Sequence, residues 1–177
     1  MIQALLVVCG LLVGTNLVFT YGVVRRLREH SERLAGLESP GAERPAQPPV
    51  GTPVPAFRAA TTTGAAVMES SVSEGEFFIG FFSTTCPPCR ERLPEFAALA
   101  GKLGTERFLA VVAGTAEEAA ELIAASAGNL AVVVEEPDGP LNRAFGIAVL
   151  PTILRLADGE VKANASVIGR LGVAVPV

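Results

Sequence analysis

An apolar run, Phe77 to Ser83, gives way to Thr84-Thr85 and then to Cys86-Pro87-Pro88-Cys89, after which Leu93, Phe96, Leu99 and Leu103 recur on one helical face. Such a run suits a central strand buried on both faces. The chain must therefore turn from strand to helix within a few residues, with two thiols at the junction. Pro87 and Pro88 suit the first helical turn, where a missing N–H donor costs nothing. Cys86 then falls at the helix N-terminus, where unpaired backbone N–H groups and the helix dipole favour a thiolate. The thiolate is the form that attacks a disulfide. Cys89, three residues on, is placed to resolve the mixed disulfide and should be the more buried thiol. The pair reads as a redox disulfide, Cys86–Cys89.

The surrounding pattern alternates β and α. Phe57–Ala60 and Ala65–Met68 flank Thr62-Thr63-Gly64 as an opening hairpin. The spacing predicts a helix over Pro87–Leu103, a buried strand over Phe108–Ala113, and a helix over Thr115–Ala127. Thr115 and Glu118 form a capping box for that helix. Leu130–Glu135 reads as a further strand. Pro137 to Pro140 is a turn into a short helix ending at Phe145. Thr152–Leu156 and Glu160–Ala163 are strands joined by Asp158-Gly159.

Other uses of the two thiols are limited by what the rest of the chain supplies. A structural zinc site takes four ligands, and the sequence has 3 Cys and 1 His, with Cys9 and His30 far from the pair. We therefore expect no metal and no cofactor. A static disulfide, a peroxidase acting through Cys86, and a non-catalytic assembly or copper-delivery module are the alternatives. The net charge of -4 gives no general attraction to nucleic acid.

Met1 to Val24 is almost continuously apolar, and roughly 20 such residues span a bilayer. No positive stretch precedes the run and no small-residue cleavage pattern follows it, so residues 1–24 are expected to be an uncleaved transmembrane anchor. Gly10 and Gly14 form a GxxxG that would allow a weak homodimer through the anchor. Residues 25–54 read as a juxtamembrane helix and then a stiff linker containing Pro40, Pro45, Pro48, Pro49 and Pro53. The folded domain is expected over 55–177.

The strand–CPPC–helix arrangement resembles the thioredoxin superfamily. Pro94, five residues after Cys89, stands where thioredoxins carry a Pro in this helix, and Val149-Leu150-Pro151-Thr152 resembles the family's cis-Pro loop. Pro55-Ala56-Phe57 with Thr63-Gly64 is similar to the start of TlpA/ResA-type thiol–disulfide reductases, and the anchor with its linker resembles MauD-type members. The resemblance covers roughly 54–165. It implies an α/β, thioredoxin-like three-layer sandwich with a mixed central sheet, preceded by one transmembrane helix. It also implies thiol–disulfide exchange with client proteins, and a membrane redox partner that recycles the pair. Leu150, Pro151 and Thr152, with Pro87 and Pro88, would contact substrate. A cis Pro151 would turn the Leu150 backbone outward for an incoming peptide.

The sequence departs from this pattern at specific places. Six positions before the first Cys, where thioredoxins carry an acid that moves the proton of the buried thiol, stands Gly80. Glu74, Glu76 and Glu135 are the candidates to replace it. Thr85 stands in place of the usual Trp. The peroxiredoxin pattern of Pro and Thr ahead of the reactive Cys is replaced by Ile79 and Ser83. The stretch after Ala163 is short for the family's closing helix.

Two arguments about the membrane side conflict. Arg25, Arg26, Arg28 and Arg33 follow the span, which favours a cytoplasmic location for what comes next. The resemblance to exported anchored members favours an extracytoplasmic domain, and that is the expectation adopted.

Overall fold

Successive strand side chains point to opposite faces, so a strand that is apolar at every position needs cover on both sides. The central strand has this character, and the computed structural model places layers above and below it. The described residues are 47–73, 75–125 and 130–173, together with Gln3. The chain divides into two compact units, Met1–Glu43 and Arg44–Val177, and the second carries the fold.

The elements are β1 (Arg58–Ala60), β2 (Ala66–Met68), α1 (Glu69–Ser73), β3 (Glu76–Ser83), α2 (Pro87–Leu103), β4 (Phe108–Ala113), α3 (Ala116–Ala125), β5 (Ala131–Glu135), α4 (Pro140–Ala144), β6 (Thr152–Ala157) and β7 (Glu160–Ala165). The main sheet has the order β5-β4-β3-β6-β7, and β1 and β2 form a separate antiparallel pair. β3, β4 and β5 run parallel, whereas β6 runs antiparallel to β3 and β7 antiparallel to β6. The expected mixed central sheet is present.

The two faces of β3 bury different clusters. Phe78 and Phe82 join Leu93, Phe96 and Leu99 of α2, with Ala119 and Leu122 of α3. Phe77, Ile79 and Phe81 join Val72 of α1, Leu141 of α4, Phe145, and the partly buried Phe57, Ala59 and Val67 of the opening hairpin. Both parallel crossovers move in the same direction along the sheet, so right-handed connections place α2 and α3 on one face. The aromatic content is modest but concentrated: Phe96 meets Phe108 edge-on with centroids 5.2 Å apart, and Phe78 stacks on Phe108 at 4.6 Å. Each fully buried Phe contributes about 1.5–3 kcal/mol through removal of apolar surface from water.

The predicted elements agree with the structure to within a few residues at their ends. The Thr115–Glu118 capping box forms in both directions, with Thr115 N donating to Glu118 Oε2 and Glu118 N to Thr115 Oγ1, each at 3.3 Å. The short helix α1 was not anticipated; its single buried apolar residue, Val72, gives too little periodicity to read. Past β7, among the described residues, the chain makes a 3-10 turn over Ile168–Arg170, and the buried Leu171 joins the cluster that holds Leu93, Phe96 and Leu99.

The expected linker, 25–54, is not extended free chain throughout. Its end lies along β7: Gly51 N donates to Val161 O at 2.8 Å, Val161 N to Thr52 O at 2.9 Å, and Val54 N to Gly159 O at 2.8 Å. Asn164 Nδ2 also donates to Pro48 O at 2.7 Å. These bonds satisfy backbone groups that an edge strand would otherwise expose. Prolines are tolerated in such an edge segment because it needs only some of its N–H groups. Among the described residues no helix is long and apolar enough to cross a membrane. The span expected over 1–24 lies outside those residues, Gln3 apart, as do Cys9, His30 and Glu74.

Candidate active site

Sheet register brings the thiols and the predicted cis-Pro loop to one edge. Phe81 of β3 pairs with Thr152 of β6. The chain leaving β3 toward Cys86 and the chain entering β6 from Pro151 therefore lie side by side, at the C-terminal ends of the parallel strands. That edge is the usual binding edge of an open α/β sheet.

Cys86 is the N-cap residue of α2, with an extended backbone (φ -97, ψ 109). Pro87 and Pro88 occupy the first helical positions and are exposed. The first amide able to close the turn is that of Cys89, which donates to Cys86 O at 3.0 Å. Ser83 shapes the approach: its Oγ accepts from Thr85 N at 3.3 Å and lies 3.1 Å from Thr85 Oγ1. Pro94 lies inside α2 without ending it.

The two thiols differ in surroundings. Cys86 is half-buried, whereas Cys89 is fully buried in the cluster that holds Phe82 and Phe96. The Cys89 thiol is pushed up from 9.0 to about 12, first by burial and then by its side-chain hydrogen bond with Cys86, while a backbone hydrogen bond from Ser83 works the other way. Burial disfavours the charged form, and a bond donated by the S–H exists only while the proton stays. Cys89 is thus held as a neutral thiol behind Cys86.

The predicted loop faces Cys86. The Leu150–Pro151 peptide bond is cis. The Cys86 Sγ donates to Leu150 O over 3.6 Å, a normal reach for sulfur. Leu150 is half-buried and touches the clusters on both sheet faces. Val149, beside it, is 45% exposed, so the loop carries an apolar surface next to the reactive sulfur. Thr152, expected among the substrate contacts, sits at the base of the loop. It is completely buried, and its hydroxyl donates to Val149 O at 2.6 Å. Pro151 is buried as well. Cys86, Cys89, Leu150, Pro151, Pro87 and Pro88 are therefore gathered at one edge, with Thr152 beneath it.

Of the candidates among the described residues, neither Glu76 nor Glu135 takes the place left by Gly80. Glu76 starts β3 and pairs with Arg155 at 3.2 Å. Glu135 accepts from Leu141 N, Asn142 N and Asn142 Nδ2, and so holds the start of α4. The acid bonded to the approach of the CxxC turn is Glu118, which sequence reasoning assigned only to a cap. Thr84 Oγ1 donates to Glu118 Oε2 at 3.1 Å, and Arg90 Nη2 donates to Thr84 O at 3.3 Å. The Thr115 backbone N–H, then the Thr84 hydroxyl, hold the Glu118 carboxyl below its ordinary range. Thr84, Arg90 and Glu118 line an open groove of about 380 Å³ with Thr85, Glu121 and Leu122. The signal for this link was the capping-box Glu itself; its second bond spans 34 positions and has no sequence signature. Among the described residues no group of three His, Cys, Asp or Glu gathers as a metal site.

Residues 50–168 match the profile of the AhpC/TSA family. No curated protein sequence matches the chain. Solved structures do. The thioredoxin domain of a thiol-disulfide oxidoreductase from Bacteroides vulgatus superposes with a TM-score of 0.60 at 17% identity, covering 70% of this chain and 92% of that one. A thiol:disulfide interchange protein of the thioredoxin family from Chlorobium tepidum gives 0.55 at 22%, covering 65% and 85%. A secreted Mycobacterium tuberculosis disulfide oxidoreductase homologous to E. coli DsbE gives 0.54 at 15%, covering 71% and 87%. At these identities the likeness establishes the fold, which is thioredoxin-like.

Proposed function

The chain belongs to the AhpC/TSA family, and we propose that it is a thiol–disulfide oxidoreductase exchanging disulfides with client proteins through Cys86 and Cys89. The observation that carries this reading is the asymmetry of the pair. Cys86 is accessible at the helix N-terminus and 3.6 Å from Leu150 O, while Cys89 lies buried behind it and keeps its proton.

The steps follow from that asymmetry. The Cys86 thiolate attacks one sulfur of a client disulfide; a Cys86–client disulfide forms, and the other client sulfur leaves as thiolate and takes up a proton. Loss of the Cys89 proton then lets its sulfur attack Cys86 Sγ, which releases the second client thiolate and leaves Cys86–Cys89 as a disulfide. The client gains two electrons, and a dithiol donor must return them for another cycle. Run in reverse, the same steps oxidise a client.

The proposal extends to the whole chain. Residues 1–24 would anchor it in a membrane, with the redox domain on the extracytoplasmic side, where a membrane redox partner would recycle the pair. The apolar N-terminal run supports the anchor, and the side and the redox partner rest on the resemblance to exported anchored members.

The direct test mixes the reduced protein with insulin, a protein disulfide, and counts products. One client disulfide should be lost for each Cys86–Cys89 disulfide formed, with none lost in the Cys86→Ser protein. Fast hydrogen peroxide consumption that survives Cys89→Ser would favour a peroxidase instead.

A further inference from the structure

We propose that Gln47, at the end of the proline-rich linker, is a positioning residue for the loop that faces Cys86. The proposal rests on the function given above for its activity readout and on geometry alone for its structural one.

A chain of hydrogen bonds joins the two. Gln47 Nε2 donates to Thr152 Oγ1 at 3.0 Å and to Ser166 Oγ at 3.2 Å. Thr152 Oγ1 in turn donates to Val149 O at 2.6 Å. The next carbonyl along the chain, Leu150 O, accepts from Cys86 Sγ. Both N–H donors of the Gln47 amide are thus used, and the buried Thr152 hydroxyl both accepts and donates. A buried hydroxyl with only one of these partners would carry an unmet polar group. The Gln47 amide therefore completes the support beneath the loop, and links it to the segment after β7.

The linker holds Gln47 in place. Pro48 is buried, Asn164 Nδ2 donates to Pro48 O, and the strand-like pairing of 51–54 with β7 follows at once. Thr152 therefore serves the substrate-binding surface from below: it transmits the position of the linker end to Val149 and Leu150. Loops whose supporting groups are fixed by a second layer of hydrogen bonds hold a reactive geometry better than unsupported ones.

Two variants of the full chain test this. Gln47→Ala removes the amide, and Gln47→Met keeps the length but has no N–H donors. The first readout is backbone hydrogen exchange in the segment 149–152, which should become about tenfold faster in both variants, since the Thr152 hydroxyl beneath the loop loses its Gln47 donor. The second is steady-state reduction of insulin, where KM should rise about tenfold while kcat moves less than about twofold, because the loop orients the client and does not react. Exchange equal to wild type in both variants, or in Gln47→Met alone, would overturn the proposal, since packing rather than donation would then hold the loop. Equal losses in kcat and none in KM would also overturn it. If the wild-type chain reduces no insulin, the proposed function fails, and the exchange measurement still decides the role of Gln47.

Discussion

Gly80 and the ring of Phe82 share one space: a Cβ on Gly80 would stand 2.5 Å from Phe82 Cε2, and 3.2 Å from Phe96 Cε1. Both rings are fully buried, in the same cluster as Cys89. The position that carries an acid in the resembling thioredoxins is therefore filled from the side by an aromatic ring, and Gly is what the packing admits. Gly80→Ala should lose about 1–3 kcal/mol, the cost of overfilling a close-packed core, as read by urea unfolding. Gly80→Asp should lose more and should not speed disulfide exchange, because the carboxylate would enter an apolar cluster without a partner. A stable, faster Gly80→Asp protein would show that the space is open.

The buried thiol should resist alkylation. With its pKa moved from 9.0 to about 12, Cys89 at pH 8 carries about a thousandfold less thiolate than an ordinary cysteine. Treated with iodoacetamide under native conditions, the reduced protein should be modified at Cys86 first, and Cys89 should react only on unfolding. Peptide mapping of a time course gives the order directly; early modification of Cys89 would remove the basis for assigning it the resolving role.

Stability should fall with alkaline pH over a defined window. The folded state holds the Cys89 proton up to about 12, whereas the unfolded chain releases it near 9.0. Between these values the unfolded chain binds fewer protons, so the free energy of unfolding decreases as pH rises. The contribution is fully present below about pH 9 and is lost on approaching about pH 12. Denaturant midpoints of the reduced wild type and of Cys89→Ala should have diverging pH dependence in that window, with the wild type steeper. Parallel curves would contradict the burial assigned to this thiol.

An intact-cell experiment addresses the side of the membrane. A membrane-impermeant maleimide applied to reduced cells should label Cys86 when the domain lies outside. Labelling only after lysis would place it in the cytosol, in accord with the arginines that follow the apolar run.

Much of this site could be read from local sequence, and the reasons for what could not are physical. Cys86 and Cys89 sit where a strand ends and a helix begins, and Pro87 and Pro88 mark that junction within four residues. The Leu150-Pro151 loop was expected from its resemblance to the thioredoxin cis-Pro loop, and the cis bond is present. Thr152 was named as a substrate contact from the resemblance alone, and its bonds to Gln47 and Val149, which hold its hydroxyl inward, have no local sequence signature. Gln47 itself was invisible, since its bond to Thr152 spans 105 positions and proline-rich composition reads as free linker. The reason for Gly80 was hidden in the same way: only the packed ring of Phe82 explains it.

The trapping of mixed disulfides tests the division of labour between the two cysteines most directly. Cys89→Ser and Cys86→Ser chains would be expressed in the native cell, thiols blocked with acid, and disulfide-linked complexes resolved on non-reducing gels. Cys89→Ser should accumulate Cys86-linked complexes that vanish on reduction, because attack proceeds and resolution cannot. Cys86→Ser should accumulate none. Equal trapping by both variants, or by neither, would contradict attack by Cys86 and resolution by Cys89.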